Sequence, residues 1–94
     1  MNIKELASEF AVFIFSQDAD LGSRIKFTLS SHKFETYFFS DFDEMFLRLE
    51  SSPPHILIID YSSLIRSLSD VFQSILKISS EVKFICLADS SVLN

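Results

Sequence analysis

Few residues in this chain could do chemistry, and one carboxylate stands out. Asp60 ends the aliphatic run Ile56-Leu57-Ile58-Ile59, which follows Pro53-Pro54-His55 and leads into Tyr61-Ser62-Ser63. Four consecutive aliphatic residues predict a strand buried on both faces, and the proline pair stops whatever precedes it. Ligands and chemistry gather at the carboxyl ends of strands in an open parallel sheet, so Asp60 is the first candidate for a functional residue. An aspartate there is also a common turn former or helix cap, and on frequency alone that is the more ordinary role. A second polar group, Ser16-Gln17-Asp18, follows the apolar run Ala11–Phe15.

The remaining reactive side chains carry less. Neither His32 nor His55 has an evident nucleophile partner for a Ser-His-Asp arrangement. His32 reads as a solvated residue at a helix end. His55 reads as a turn residue at the amino end of its strand, opposite the edge where chemistry is expected. Asp18 and Asp60 could do acid-base work only if the fold brought them together. Cys86 is the sole cysteine, which excludes an intrachain disulfide and a zinc site, and its apolar surroundings predict a buried thiol. The single glycine, Gly22, falls inside a predicted helix and is no phosphate-cradling loop.

The elements that must position these residues follow from hydrophobic period. Ile3, Leu6, Ala7 and Phe10 at i, i+3, i+4 and i+7 predict a leader helix over residues 1–10, ahead of one domain over 11–94. Ala11–Phe15 predicts the first strand. Leu21, Ile25, Thr28 and Leu29 share a helical face, with Asp18 or Asp20 as its cap and His32 and Lys33 near its far end. Phe34–Phe39 predicts a second strand. Ser40 and Asp41 open a helix with the stripe Phe42, Met45, Phe46 and Leu49, and Asp43 and Glu44 complete a capping pattern. After the central strand, the helical period resumes from Leu64 through Ile65, Leu68, Phe72, Ile75 and Leu76. Val82–Ala88 predicts a fourth strand.

Composition bounds the function classes. The chain has 94 residues, 48% of them apolar, eleven Phe and a net charge of -5. That is a globular composition and enough for one modest core. The negative charge opposes nucleic-acid binding, which needs a basic face, and docking on anionic lipid. No apolar run approaches the ~20 residues of a membrane span. A lone cysteine and no basic-then-apolar signal sequence point to a cytoplasmic protein.

Strands separated by helices require parallel pairing with right-handed crossovers. The predicted fold class is α/β, a flavodoxin-like parallel sheet with helices on both faces and strand order 2-1-3-4. In that order the first and third strands are neighbours, so Asp60 lies beside Ser16, Gln17 and Asp18.

On this pattern the chain resembles the receiver domain of bacterial two-component response regulators, the CheY-like fold, over residues 11 to 94. The resemblance makes Asp60 equivalent to the phosphoacceptor that ends the third strand. It implies an acidic, Mg²⁺-binding pair after the first strand, where this chain has Ser16 and Gln17, with Asp18 next along. Ser62 would rim the same pocket. It implies a Ser or Thr ending the fourth strand, where this chain has Ala88, and a Lys ending a fifth strand that this sequence lacks. Replacing two carboxylates by a hydroxyl and an amide removes negative charge from an octahedral oxygen shell, so Mg²⁺ binding through Asp18 and Asp60 is expected to be weak at best.

The expected function is therefore a non-enzymatic signalling module, a degenerate receiver without a resident cofactor. It would act by protein-protein contact, through homodimerisation or docking on an output domain. Two other readings stay open. One is a working phospho-accepting receiver using Asp60 with Mg²⁺. The other is a flavodoxin-like small-molecule binder, against which the lack of a Gly-rich turn argues. A sheet ending at the fourth strand would also leave an apolar edge that a second copy or further chain must cover.

Overall fold

A computed structural model describes residues 10–64 and 67–87. The expected leader helix, apart from Phe10, lies outside the described residues, and so does Ala88. The elements run β1 (Ala11–Phe15), α1 (Ala19–Ser31), β2 (Glu35–Phe39), α2 (Phe42–Ser51), β3 (Ile56–Asp60), α3 (Leu68–Ile78) and β4 (Lys83–Leu87), with a single 3₁₀ turn at Tyr61–Ser63. The four strands form one parallel sheet in the order β2-β1-β3-β4. This is the layout expected when the flavodoxin-like rule is applied to the alternation of strands and helices.

The continuous apolar runs are strands because alternate residues enter different cores. Phe13, Phe15, Leu57 and Ile59 face Met45 and Leu49 of α2 and Val71 and Ile75 of α3. Val12, Ile14 and Ile58 face the other way, toward Ile25 and Leu29 of α1. Truncating one of the fully buried residues, Leu57 for example, would cost about 2–5 kcal/mol through lost burial and the cavity left behind. Register then fixes the site. Phe15 pairs with Ile59, so the next residues along, Ser16 and Asp60, sit side by side at the carboxyl edge.

Helix starts follow their caps. Asp18 accepts from the backbone N–H of Asp20 and Leu21 to begin α1. Asp41 does the same for Asp43 and Glu44 at α2. The third helix differs from expectation. It starts at Leu68, where Ser67 caps the N–H of Asp70, because the backbone after Asp60 first closes into the 3₁₀ turn. Ile65 and Arg66 lie outside the described residues. Phe34 also precedes β2 rather than opening it, since Lys33 has a positive φ of 72° that turns the chain out of α1.

Gly22 is buried in α1 because the ring of Phe38 on β2 occupies the space of a side chain. A Cβ there would lie 2.2 Å from the ring. Cys86 contradicts its expected burial. It is exposed, because β4 is an edge strand and Phe84, two residues earlier on the same side, takes the packing position against Phe72 at 4.5 Å between ring centroids.

Candidate functional site at the carboxyl edge of the sheet

The site is built by three segments: the end of β1, the end of β3, and the 3₁₀ turn that follows. Asp60 is 7% exposed and Ser16 is 1% exposed. A carboxylate so placed must be hydrogen-bonded, because an uncompensated buried charge costs several kcal/mol. Four donors meet it. The Ser16 hydroxyl donates to Oδ2 at 2.8 Å and the Ser63 hydroxyl donates to the same oxygen at 3.0 Å. The Ser62 hydroxyl and backbone N–H donate to Oδ1 at 2.8 and 3.2 Å. Each oxygen thus accepts two hydrogen bonds, which fills the roughly four acceptor sites of a carboxylate.

A second layer holds the serines. Ser63 Oγ accepts from the backbone N–H of Gln17 at 2.8 Å. Ser16 Oγ accepts from the N–H of Asp18 at 3.0 Å. The hydroxyls therefore receive a backbone proton on one side and pass their own to Asp60, the arrangement that best polarises a short chain of hydrogen bonds. Among the described residues no buried side-chain polar atom lacks a partner.

Burial alone would raise the Asp60 pKa. The hydrogen bonds from Ser16, Ser62 and Ser63, with the Ser62 N–H, outweigh it and hold the carboxyl below its ordinary value. Asp60 is therefore an anion at neutral pH, held so by hydrogen bonds, and no ion pair to it forms among the described residues.

The residues expected at the site are brought together in part. Ser16 and Ser62 touch Asp60 directly. Gln17 contributes its backbone N–H, at one remove. Asp18 likewise contributes its backbone N–H, to Ser16 Oγ, while its carboxylate Oδ1 is engaged in capping α1. Ser63 is the member that sequence reasoning overlooked, although an aspartate followed by serines two and three residues on is a pattern for local side-chain hydrogen bonding. His55 sits at the opposite edge, as expected for a turn residue, but it has an unforeseen task. Its Nδ1 accepts from the backbone N–H of Ala11 at 3.0 Å.

These donors do not fit a Mg²⁺ shell. Such a shell needs free oxygen acceptors from one or two carboxylates, whereas both Asp60 oxygens are filled by protein protons. No group of three or more His, Cys, Asp or Glu gathers in a metal-binding arrangement among the described residues.

Beside the site, a cleft of about 300 Å³ is lined by Phe15, Gln17, Ser40, Asp41, Phe42, Asp43, Ser63 and Leu64. That is at the lower limit of small-molecule pockets. Its two carboxylates and lack of any cationic lining residue are unsuited to a phosphate-bearing ligand.

No protein-family model and no curated protein matches this chain. Among solved structures, a pilus assembly-related protein from Burkholderia pseudomallei K96243 is similar in fold, with a TM-score of 0.67 at 9% sequence identity. The match covers 93% of this chain and 69% of that one. It supports the parallel α/β architecture, which is compatible with the CheY-like layout. No helix among the described residues is long and apolar enough to cross a membrane.

Proposed function

We propose that this chain is a receiver-like module that works by protein-protein contact and catalyses nothing. Asp60, at the phosphoacceptor-equivalent position, serves as a fixed structural anion. The observation that carries this reading is the saturation of its carboxylate by the Ser16, Ser62 and Ser63 hydroxyls and the Ser62 N–H. To attack a phosphodonor, a carboxylate oxygen must present a free lone pair in line with the leaving group while cations neutralise the gathering charge. Here each oxygen is held by two donors, and the turn that supplies two of those serines would have to open first.

In this reading the module acts in the reducing cytoplasm, by dimerisation or by docking on an output domain. The structural neighbour supplies the fold alone, and the site supplies the function. The acidic cleft and the absence of a Gly-rich turn speak against the nucleotide- or flavin-binding alternative.

The test is incubation with Mg²⁺ and either beryllofluoride or acetyl phosphate. Intact-mass and peptide-level spectrometry then read for a modification that disappears in Asp60→Asn. The expected result is no Asp60-dependent adduct. Robust modification of Asp60 would restore the working receiver and end this reading.

A further inference from the structure

The amino edge of the sheet holds a titratable side chain with a structural task. The Ala11 N–H, at the start of β1, donates to Nδ1 of His55 at 3.0 Å. The His55 N–H in turn donates to the Ala11 carbonyl at 2.9 Å. One residue therefore holds both main-chain groups of Ala11, one through its backbone and one through its ring. Beside them the ring of Phe10 lies 5.0 Å from the imidazole, centroid to centroid. That contact suits either charge state of the imidazole. The hydrogen bond does not.

Nδ1 can accept only while it carries no proton, so the bond to Ala11 requires the neutral ring with its hydrogen on Nε2. An imidazolium has a proton on both nitrogens and nothing left with which to accept. His55 is exposed, so its ring exchanges protons with water directly. We propose that His55 is a proton-operated latch on the entry to β1: the neutral ring grips the Ala11 N–H, and the protonated ring releases it.

The charged groups around the latch are engaged elsewhere or stand apart from it. By strand alternation His55 shares a face with Leu57 and Ile59, the face covered by α2 and α3. On β2, Glu35 is the register partner of Ala11, and its carboxylate receives the Tyr37 hydroxyl. On α2, Arg48 lies over the Tyr37 ring at 5.1 Å, and Glu50 follows it. On β4, Lys83 pairs with Ile56 and so leaves the sheet on the opposite face from His55. Lys77 ends α3, and Glu81 stands in the turn before β4. None of these forms an ion pair with His55 among the described residues. Release is local. The His55 N–H still holds the Ala11 carbonyl, the Glu35 N–H still holds the Phe10 carbonyl at 3.1 Å, and the pairing of β1 with β3 from Val12 onward is untouched. The latch does not depend on the contact-module role.

Nitrogen-15 NMR of the full chain tests it, between about pH 8 and about pH 5, the span in which imidazoles change charge. At the upper limit a coupling across the N–H···N bond should join the Ala11 amide nitrogen to His55 Nδ1. At the lower limit the coupling should vanish. Hydrogen-exchange protection of the Ala11 amide, corrected for the intrinsic pH dependence of exchange, should fall by roughly tenfold, as one lost hydrogen bond allows. The Leu57 amide, in the middle of β3, should keep its protection. His55→Asn offers an amide oxygen that accepts at every pH, so Ala11 protection should become independent of pH. His55→Phe cannot accept and should leave that amide poorly protected throughout. The proposal is overturned by no coupling at the upper limit, by a coupling that survives at the lower one, or by the same acid-induced loss in His55→Asn. Loss of Leu57 protection in step with Ala11 would also overturn it, because the event would then be global unfolding.

Discussion

Ser16 and Asp60, forty-four positions apart in sequence, are joined directly: the serine hydroxyl donates to Oδ2 at 2.8 Å in a buried setting that ties the end of β1 to the end of β3. Ser16→Ala leaves that oxygen with Ser63 as its remaining donor and no room for water at a residue 1% exposed. The expected loss is about 1–3 kcal/mol, read as a lower urea midpoint with an unchanged slope. Ser63→Ala should cost a similar amount, because it also strips the Gln17 N–H of its acceptor.

The depressed Asp60 pKa makes stability pH-dependent in a definite direction. The folded state prefers the ionised form more than the unfolded chain does, so the contribution of Asp60 is complete above the ordinary carboxylate value of about 4. It is lost as pH falls through the lower, folded value. Urea melts from neutral pH into the acid range should show a steeper decline for the native sequence than for Asp60→Asn, which holds no titrating group there. Parallel curves would contradict the assignment.

On the receiver resemblance, Ser16 and Gln17 stand where a metal shell would need carboxylates, and that can be reversed. Ser16→Asp combined with Gln17→Asp places new negative charge beside Asp60. Without a cation the repulsion should lower the melting temperature. Mg²⁺ at about a hundred times its dissociation constant should then raise it by roughly 10–20 °C, since such a ligand contributes about 2.7 kcal/mol and each kcal/mol moves a domain of this size by about 4–8 °C. The native sequence should show no such response.

Gly22 should resist replacement by alanine despite the better helix propensity of alanine. The gain of up to about 1 kcal/mol is set against a Cβ 2.2 to 2.7 Å from the Phe38 ring, and overpacking of this kind costs about 1–3 kcal/mol. A net loss of stability is expected in thermal melts. Phe38→Leu in the same chain should recover part of it, so the two changes would be non-additive.

The alternation of strands and helices and the Asp41 cap were legible in period and local pattern, and the α1 cap was narrowed to Asp18 or Asp20. The strand order and the pairing of β1 with β3 followed only once the flavodoxin-like rule was applied to that alternation. The cage around Asp60 was not legible. The departure from a carboxylate pair at Ser16 and Gln17 reads in the sequence as a loss of metal ligands. Only the rotamers of Ser16, Ser62 and Ser63 show that the hydroxyls turn inward and do the neutralising themselves. The start of α3 was misplaced because apolar spacing continues from Leu64 through a segment whose backbone first closes a different turn. Cys86 was misplaced because an apolar strand reads the same at the centre of a sheet and at its edge. The close approach that requires Gly22 is a tertiary fact, set by a ring on a strand sixteen residues away.

His55 gives the amino edge of the same strand pair its own fastening. Its ring accepts from the Ala11 N–H, its backbone N–H donates to the Ala11 carbonyl at 2.9 Å, and its carbonyl receives the Lys83 N–H at 2.9 Å. The central seam of the sheet is thereby stapled at both margins, once by an imidazole and once by a carboxylate in a ring of alcohols. A seam closed at both margins resists sliding and gaping. On the contact-module reading proposed above, what such a body reports would reside in which of its outer surfaces is occupied, and when.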